Sequence, residues 1–533
     1  MNGTRKYLWF GALASAVLMS LPWLVPHCGW VALFGLVPLL LADRLADLQN
    51  VRRFRVWHYS AFVLWNAFTT FWIWNATPGG AVFAILANAL QMSLVWGLFR
   101  MAKRHVGGVV PYVFLAAAWI AWERWYLVSA QISWPWLVLG NAFAGTTSLI
   151  QWYEYTGTLG GSLWVWACNL CLFGLSSAIL EGRIGGWSRR IRTAVLAGSF
   201  LIIAFPIAAS LHIGYWYRPE ASGCMPVIIA QPDFDPYEKF ESLSQEEQTA
   251  ILLDQFGAEA DSLWEGLLIA PETFTSDIHV GDVASSPTFR SFQDFLSSHR
   301  GASLLFGAST WEFFLQRSAP TPLARPFGDS WVVSHNSALV TDASAREEIF
   351  HKSKLVVGVE STPYPAVFLP LDRLLGGVMG RCVGQDRVTA MHCSTGGEDI
   401  TFGCAICYES VYPEYCTEYV RGGARFLTVI TNDAWWGDTP GYRQHLNYSR
   451  LRAIELRRDV ARCANTGISA IIDSRGDIVS RTSWWKRETL RGEVNLYDGQ
   501  TFFVRAGDMV GRASVLVFLL LLLRLLVALI AKR

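Results

Sequence analysis

Residues 401–410 read TFGCAICYES, and the question they raise is what Cys407 does at the end of an apolar, β-branched run. Ile400–Cys407 has the composition of a buried strand. In a strand, residues three apart point to opposite faces, so Cys404 and Cys407 cannot meet as a disulfide. Thioredoxin-like Cys-x-x-Cys pairs sit at the start of a helix instead. Two readings of Cys407 stay open from this stretch alone: a core thiol or a nucleophile.

The surrounding chain has an alternating pattern. Strand-like runs fall at Cys224–Gln231, Gly266–Ala270, Ala302–Ser309, Trp331–Thr341, Ile400–Cys407, Arg425–Thr431, Gly467–Asp473 and Asp477–Thr482. Helical periods fall at Ser244–Ala260, Phe289–His299 and Tyr442–Arg458, and Ser242 with Gln245 suits a cap for the first of them. Alternation of this kind predicts a layered α/β domain. Residues 361–400 are rich in Gly and Pro and show little periodicity, as functional loops do. Polar residues follow the strands: Glu272 after LLIAP, Lys352 after REEIFH, and Asn432 and Asp433 after FLTVIT. In open α/β sheets, function gathers at such carboxyl ends.

A Glu, a Lys and a Cys brought together there can perform acyl chemistry. The carboxylate takes the thiol proton, the ammonium favours the thiolate and stabilises the oxyanion, and a thioester results. Each residue alone is more often structural than catalytic. His351, His445 and Cys407 form a competing Cys–His set. No His-x-x-x-His pattern occurs, and the two Cys-x-x-Cys pairs, at 168–171 and 404–407, lie too far apart to read as one zinc-site pattern, so neither a metal nor an organic cofactor is expected.

The rest of the chain is different in kind. Of 533 residues, 52% are hydrophobic and 16% charged, against about 25% charged in a soluble chain. The net charge of +1 speaks against a nucleic-acid partner. The apolar excess lies before residue 215 and in the last 20 residues. Candidate spans fall near 7–25, 29–42, 56–76, 79–99, 109–130, 159–180, 194–213 and 513–531, the second short and interrupted by Pro38. Arg and Lys cluster in alternate loops and at the ends, at Arg5, Lys6, Arg44, Arg52, Arg53, Arg55, Arg100, Lys103, Arg104, Arg183, Arg189, Arg190, Arg192, Lys532 and Arg533, while Pro26–Cys28, Thr77–Pro78 and Gln131–Thr158 have none. The positive-inside rule then places both termini in the cytoplasm and residues 214–512 outside. The expected organisation is a seven-span domain over 1–213, an outer domain over 214–500, and a linker with an eighth helix over 501–533. The first span is too long, and lacks the cleavage site, for a signal peptide.

Among the ten cysteines, Cys382 and Cys393 flank a Gly-rich loop as a candidate disulfide of an exported domain. Glu123 and Arg124 lie inside a span, where charges are costly; they read as an ion pair or as a substrate contact. Arg524 is placed to snorkel toward the cytoplasm. Trp134 and Trp136 suit either an apolar substrate contact or interface anchors.

Several stretches together resemble one family. APETF (270–274), HKSKLVVGVE (351–360) and ICYES (406–410) are similar to the Glu, Lys and Cys motifs of the nitrilase superfamily, with Lys352 and Glu360 spaced as in its membrane branch, the apolipoprotein N-acyltransferases. AWERWYLVSAQISWPWLVLG (121–140), TNDAWWG (431–437), QHL (444–446), RAIELRRDVARCANTGISAIID (452–473) and VRAGD (504–508) resemble further stretches of that branch. The family commonly reads Leu-Val-Pro-Phe-Gly-Glu where this chain has Leu355-Val-Val-Gly-Val-Glu360, and Phe240 stands where the family has a Trp.

The resemblance implies a multi-span α-helical membrane domain plus an α/β nitrilase-like domain, an α-β-β-α sandwich, outside the bacterial inner membrane. It implies Cys407 as nucleophile, Glu272 as general base, Lys352 as oxyanion partner and Glu360 as the residue holding Lys352. Tyr408 and Glu409 would shape the pocket, and Phe240 would touch the acyl chain or a lid. The donor would be a glycerophospholipid, and the acceptor the α-amino group of the S-diacylglyceryl cysteine of an apolipoprotein. Two rival readings are a membrane-tethered amidase for small amides and a transporter or receptor whose outer domain only binds.

Overall fold

A computed structural model describes residues 2–51, 53–217, 220–235, 243–374, 377–395 and 397–531. The chain forms two units. One contains Met1–Ala130, Trp134–Tyr217 and Ala506–Arg533; the other contains Gln131–Ser133 and Arg218–Arg505.

The first unit is helical. Helices Gly3–Leu24, Pro78–His105, Thr158–Leu180, Arg189–Trp216 and Met509–Ile530 are long and apolar enough to cross a membrane. Arg55–Thr70 and Val110–Val128 accompany them at 16 and 19 residues. The stretch expected as a second span is instead a 3-10 turn, Gly29–Leu33, followed by a helix of 12 residues, Val37–Leu48. At 1.5 Å per residue that helix falls well short of the roughly 30 Å hydrocarbon core. Pro38 opens it rather than breaking it, because the first turn of a helix needs no N–H there.

Packing in this unit corrects two sequence expectations. Glu123 and Arg124 do not pair with each other. Glu123 accepts from the Trp119 indole N–H (3.1 Å) and the Leu139 N–H (2.8 Å), while Arg124 bonds Asp508 at 2.7 Å. Neighbouring helix residues point about 100° apart, so adjacent charges seldom share a partner. Trp136 is fully buried and stacks on Trp134 at 5.0 Å, with Trp72 edge-on to it. It is a core side chain rather than an exposed interface anchor.

The second unit has fourteen strands among its described residues. The first seven are β1 (Gly223–Gln231), β2 (Gly266–Ile269), β3 (Thr275–His279), β4 (Ala302–Phe314), β5 (Arg325–Phe327), β6 (Ser330–Asp342) and β7 (Glu347–His351). The rest are β8 (Met391–Thr395), β9 (Glu398–Ile406), β10 (Phe426–Thr431), β11 (Val460–Ala464), β12 (Ala470–Ile472), β13 (Ile478–Arg481) and β14 (Glu488–Leu496). One sheet runs β14-β1-β2-β4-β6-β5, with β3 on β4 and β7 on β6; the other runs β13-β12-β11-β10-β9-β8. The β1–β2–β4 and β9–β10–β11 neighbours are parallel.

Period-two alternation builds the layers. On β1, Val227 and Ile229 join a core with Phe402, Cys404, Ile406 and Val429 of the second sheet, so the sheets face each other. Ile228 and Ala230 point the other way, onto Leu252, Phe256 and Phe292 of helices Gln245–Glu259 and Pro287–Ser298. Helices Pro413–Arg421 and Pro440–Leu456 cover the second sheet through Cys416, Tyr419, Leu446 and Ala453. The order is helix, sheet, sheet, helix.

Local differences from expectation are instructive. The first outer helix is capped by Ser244 with Glu247 in a reciprocal capping box, two residues beyond the expected pair. Ser242 and Phe240 lie outside the described residues. All ten cysteines are free, so Cys382 and Cys393 form no disulfide.

Gly307 of β4 bears on the site directly. A Cβ there would meet Glu272 Cα at 2.5 Å, Thr273 N at 2.6 Å and Pro271 O at 2.7 Å, all backbone. Gly307→Ala is therefore expected to lower stability by about 1–3 kcal/mol, the usual overpacking range. Thermal denaturation of the purified protein checks this, and an unchanged melting temperature would contradict the close approach.

Candidate functional site

Four segments converge at the carboxyl ends of the strands. Glu272 lies three residues past β2, next to Thr273 at φ +47°. Lys352 follows β7, held by its N–H bond to the Asn336 carbonyl of β6 (2.8 Å). Cys407 follows β9 and begins a short 3-10 turn, Cys407–Val411, with φ +51°. Asn432 follows β10. Burial of the sheets on both faces leaves the strand ends as the place where polar side chains can cluster.

The centre is a buried ion cluster. Lys352 Nζ lies 3.0 Å from Glu272 Oε1 and 2.9 Å from Glu360 Oε1. Asn336 Nδ2 donates to the same two oxygens at 2.8 and 2.7 Å. The Asn432 N–H donates to Glu272 Oε2 (3.1 Å), and the Val356 N–H to Glu360 Oε2 (2.7 Å). Glu360 reaches Lys352 although the family's Pro is missing before it; Gly358 at φ +80° makes the turn. Burial opposes charge on Lys352, but the two carboxylates win and hold its pKa well above the usual value.

Cys407 is half-buried and within electrostatic reach of Glu272 and Lys352. Burial, then the Glu272 charge, pushes its pKa well above the usual thiol value; Lys352 only offsets part of this. The resting thiol is therefore protonated, and the ammonium does not prepare a thiolate by itself. A base must take the proton as the sulfur attacks, and Glu272 is the adjacent carboxylate.

The other sequence-expected residues are placed as follows. Glu409 is fully buried and accepts from Ser353 N–H (2.6 Å), Lys354 N–H (3.2 Å), Ile406 N–H (2.9 Å) and Tyr415 OH (2.5 Å). It ties the lysine segment to the cysteine strand. Tyr408 is buried, packs edge-on against Tyr412 and donates its OH to the Ser133 carbonyl (3.1 Å). Neither makes its described contacts as an open pocket wall. His351 bonds Ser337 Oγ (2.7 Å) and stacks on His335 at 4.1 Å; burial, with His335 beside it, lowers its pKa to about 4. His445 Nε2 faces the Cys407 carbonyl oxygen at 3.0 Å, a backbone atom. The competing Cys–His pair is thus not formed by these described contacts.

Sequence reasoning missed Asn336, which sits mid-strand in VVSHNSALV with nothing to mark its inward amide. It also missed β11, whose VARCA places a buried Arg462 where the pattern reads as polar. With the Cys407 thiol held protonated, its alkylation by iodoacetamide is expected to be slow at neutral pH and to rise through pH 9 and beyond. Peptide mapping of the Cys407 adduct measures this; a rate already at its plateau at pH 7 would show a preformed thiolate instead.

Comparison with known proteins accords with this geometry. The carbon-nitrogen hydrolase family model matches residues 245–502, and the model of the apolipoprotein N-acyltransferase N-terminal domain matches residues 15–171. An apolipoprotein N-acyltransferase of Chlorobaculum tepidum is 28% identical over 94% of this chain and 93% of its own length. That of Geobacter metallireducens is 27% identical over 96% of this chain and 93% of its own. Among solved structures, a carbon-nitrogen hydrolase from Helicobacter pylori G27 covers 56% of this chain and 94% of its own at 14% identity, with a TM-score of 0.33. Both halves of the architecture, the apolar helices and the sandwich, thus have relatives in the same order along single chains, and the chain belongs to the apolipoprotein N-acyltransferase family, the membrane branch of the nitrilase superfamily.

Proposed function

We propose that this enzyme transfers an acyl chain from a glycerophospholipid, through a thioester on Cys407, to the α-amino group of the S-diacylglyceryl cysteine that begins an apolipoprotein. The observation that carries the reading is the half-buried thiol at a strand end, beside a carboxylate and an ammonium that share one buried cluster. The match of residues 15–171 to the model of the apolipoprotein N-acyltransferase N-terminal domain favours this over a small-amide hydrolase. A simple binder would need no such proton-taking pair.

In the first half-reaction Cys407 Sγ attacks the ester carbonyl while its proton passes to Glu272. The oxyanion forms beside the Lys352 ammonium. The C–O bond breaks, Glu272 returns the proton to the departing glycerol oxygen, and a lysophospholipid leaves. In the second, the acceptor amine attacks the thioester. Its pKa near 8 leaves much of it protonated at neutral pH, so Glu272 again serves as base. The C–S bond breaks, the sulfur regains a proton, and an amide is released. Glu360 keeps Lys352 in place in both steps. Both substrates are lipids, and drawing an acyl chain into water costs about 0.8 kcal/mol per CH₂; a membrane-anchored enzyme avoids that cost. We place both termini in the cytoplasm and the sandwich on the periplasmic side of the inner membrane, on the distribution of Arg and Lys among the loops.

Incubation with phospholipid carrying a labelled acyl chain should put the label on the Cys407 peptide, and Cys407→Ala should abolish it. Initial rates should follow a ping-pong pattern, since the donor alcohol leaves before the acceptor reacts. Mass spectrometry locating the adduct on another cysteine would refute the assignment. For the topology, Cys224 is exposed on the sandwich, so a membrane-impermeant maleimide should label it in intact spheroplasts. Labelling only after lysis would reverse the orientation.

A further inference from the structure

Cys407 adopts a left-handed backbone, φ +51°, which costs a non-glycine residue about 1–3 kcal/mol unless its surroundings enforce it. The enforcement comes from behind the nucleophile. The Cys407 carbonyl oxygen receives Ser410 Oγ at 2.8 Å and lies 3.0 Å from His445 Nε2. A carbonyl oxygen can only accept, so Nε2 is the donor. The other ring nitrogen, Nδ1, lies 2.9 Å from Asp433 Oδ1. Arg462 Nη2 bonds Asp433 Oδ2 at 2.6 Å, and Thr431 Oγ1 bonds Asp433 Oδ1 at 2.9 Å. Ser410, His445, Asp433 and Arg462 are all fully buried. Trp436 packs edge-on against the imidazole at 5.4 Å.

Ser410, Asp433, Arg462 and His445 come from four elements: the turn after β9, the turn after β10, strand β11 and helix Pro440–Leu456. Apolar residues of the same volume would hold the layers together at least as well as a buried charged set. What they would lack is a donor aimed at one carbonyl oxygen. A peptide unit is planar, so fixing that oxygen fixes the whole Cys407–Tyr408 plane. The plane sets the conformation at the Cys407 Cα, and hence the direction in which the thiol leaves the backbone.

We propose that His445 is a positioning residue for the nucleophile: anchored by Asp433, it clamps the Cys407 carbonyl and thereby aims the thiol at the donor ester. The inference rests on Cys407 being the acyl carrier, and its test is chosen to be separable from that reading. His445 does not touch substrate and takes no proton from the sulfur.

The experiment compares His445→Leu, His445→Asn and His445→Gln in the full-length purified enzyme. Three quantities are read: the iodoacetamide rate of the Cys407 peptide, the first-turnover acylation rate with the donor KM, and the melting temperature. The Gln amide reaches the position of Nε2 and keeps a donor; the Asn amide reaches only the position of Nδ1. Leu and Asn variants should lose about tenfold to a hundredfold in both Cys407 rates, the range for a buried partner left unpaired, with the donor KM unchanged. Gln should recover most of the loss at a similar melting temperature. If the Leu variant does not fold, the Asn and Gln pair decides. Equal behaviour of those two, whether both fast, both slow or both unfolded, overturns the proposal. The alkylation rate needs no acyl substrate, so an acyl adduct on another cysteine would sink the reaction scheme while leaving the clamp measurable.

Discussion

The Lys352 ammonium divided between Glu272 and Glu360, away from solvent, is the interaction on which the catalytic unit turns. Two carboxylates and one ammonium taken out of water are unstable unless each finds several partners. Here the partners come from elsewhere in the fold: the Asn336 amide from the middle of β6, the Asn432 N–H from the end of β10, and the Val356 N–H from the glutamate's own loop. Most of the cluster comes from the first sheet and the loop after β7, and the Asn432 N–H adds a contact from the second sheet. The cluster is therefore a product of the completed fold rather than of any local segment.

That cluster also explains the character of the thiol. A lone ammonium beside a cysteine gives a standing thiolate. Adding a carboxylate and burial reverses the balance, and the sulfur keeps its proton at rest. A nucleophile of this kind reacts only when an electrophile is already in position and a base can accept the proton in the same step. A standing thiolate is open to oxidants and alkylators, whereas a thiol that keeps its proton reacts with them slowly.

The candidate strand ends at residues 270–274, 351–360 and 406–410 were legible mainly through their resemblance to the family's Glu, Lys and Cys motifs, since a polar residue closing an apolar run is by itself more often structural. The layered α/β unit was legible from alternation, and most of the apolar helices from length alone. Other features depended on geometry that no local pattern encodes. The amide of Asn336 is one inward residue among many on a long strand. The left-handed turn at Cys407 sits on a residue type that gives no hint of it. Val37–Leu48 reads like part of a span, but the helix begins only at Val37, after a 3-10 turn at Gly29–Leu33. Trp134 and Trp136 carry the composition of membrane anchors, and only packing against Trp72 reveals the second as core. Arg124 finds Asp508 384 residues further along the chain, a pairing that spacing cannot suggest.

Ten thiols and no cross-link have a consequence for how the chain matures. Cys393, Cys404, Cys416 and Cys463 are packed inside the sandwich, where no partner thiol and no oxidant can approach. The unit thus reaches its native state by packing and polar contacts alone. In this arrangement none of the contacts that hold the sandwich is a sulfur–sulfur bond.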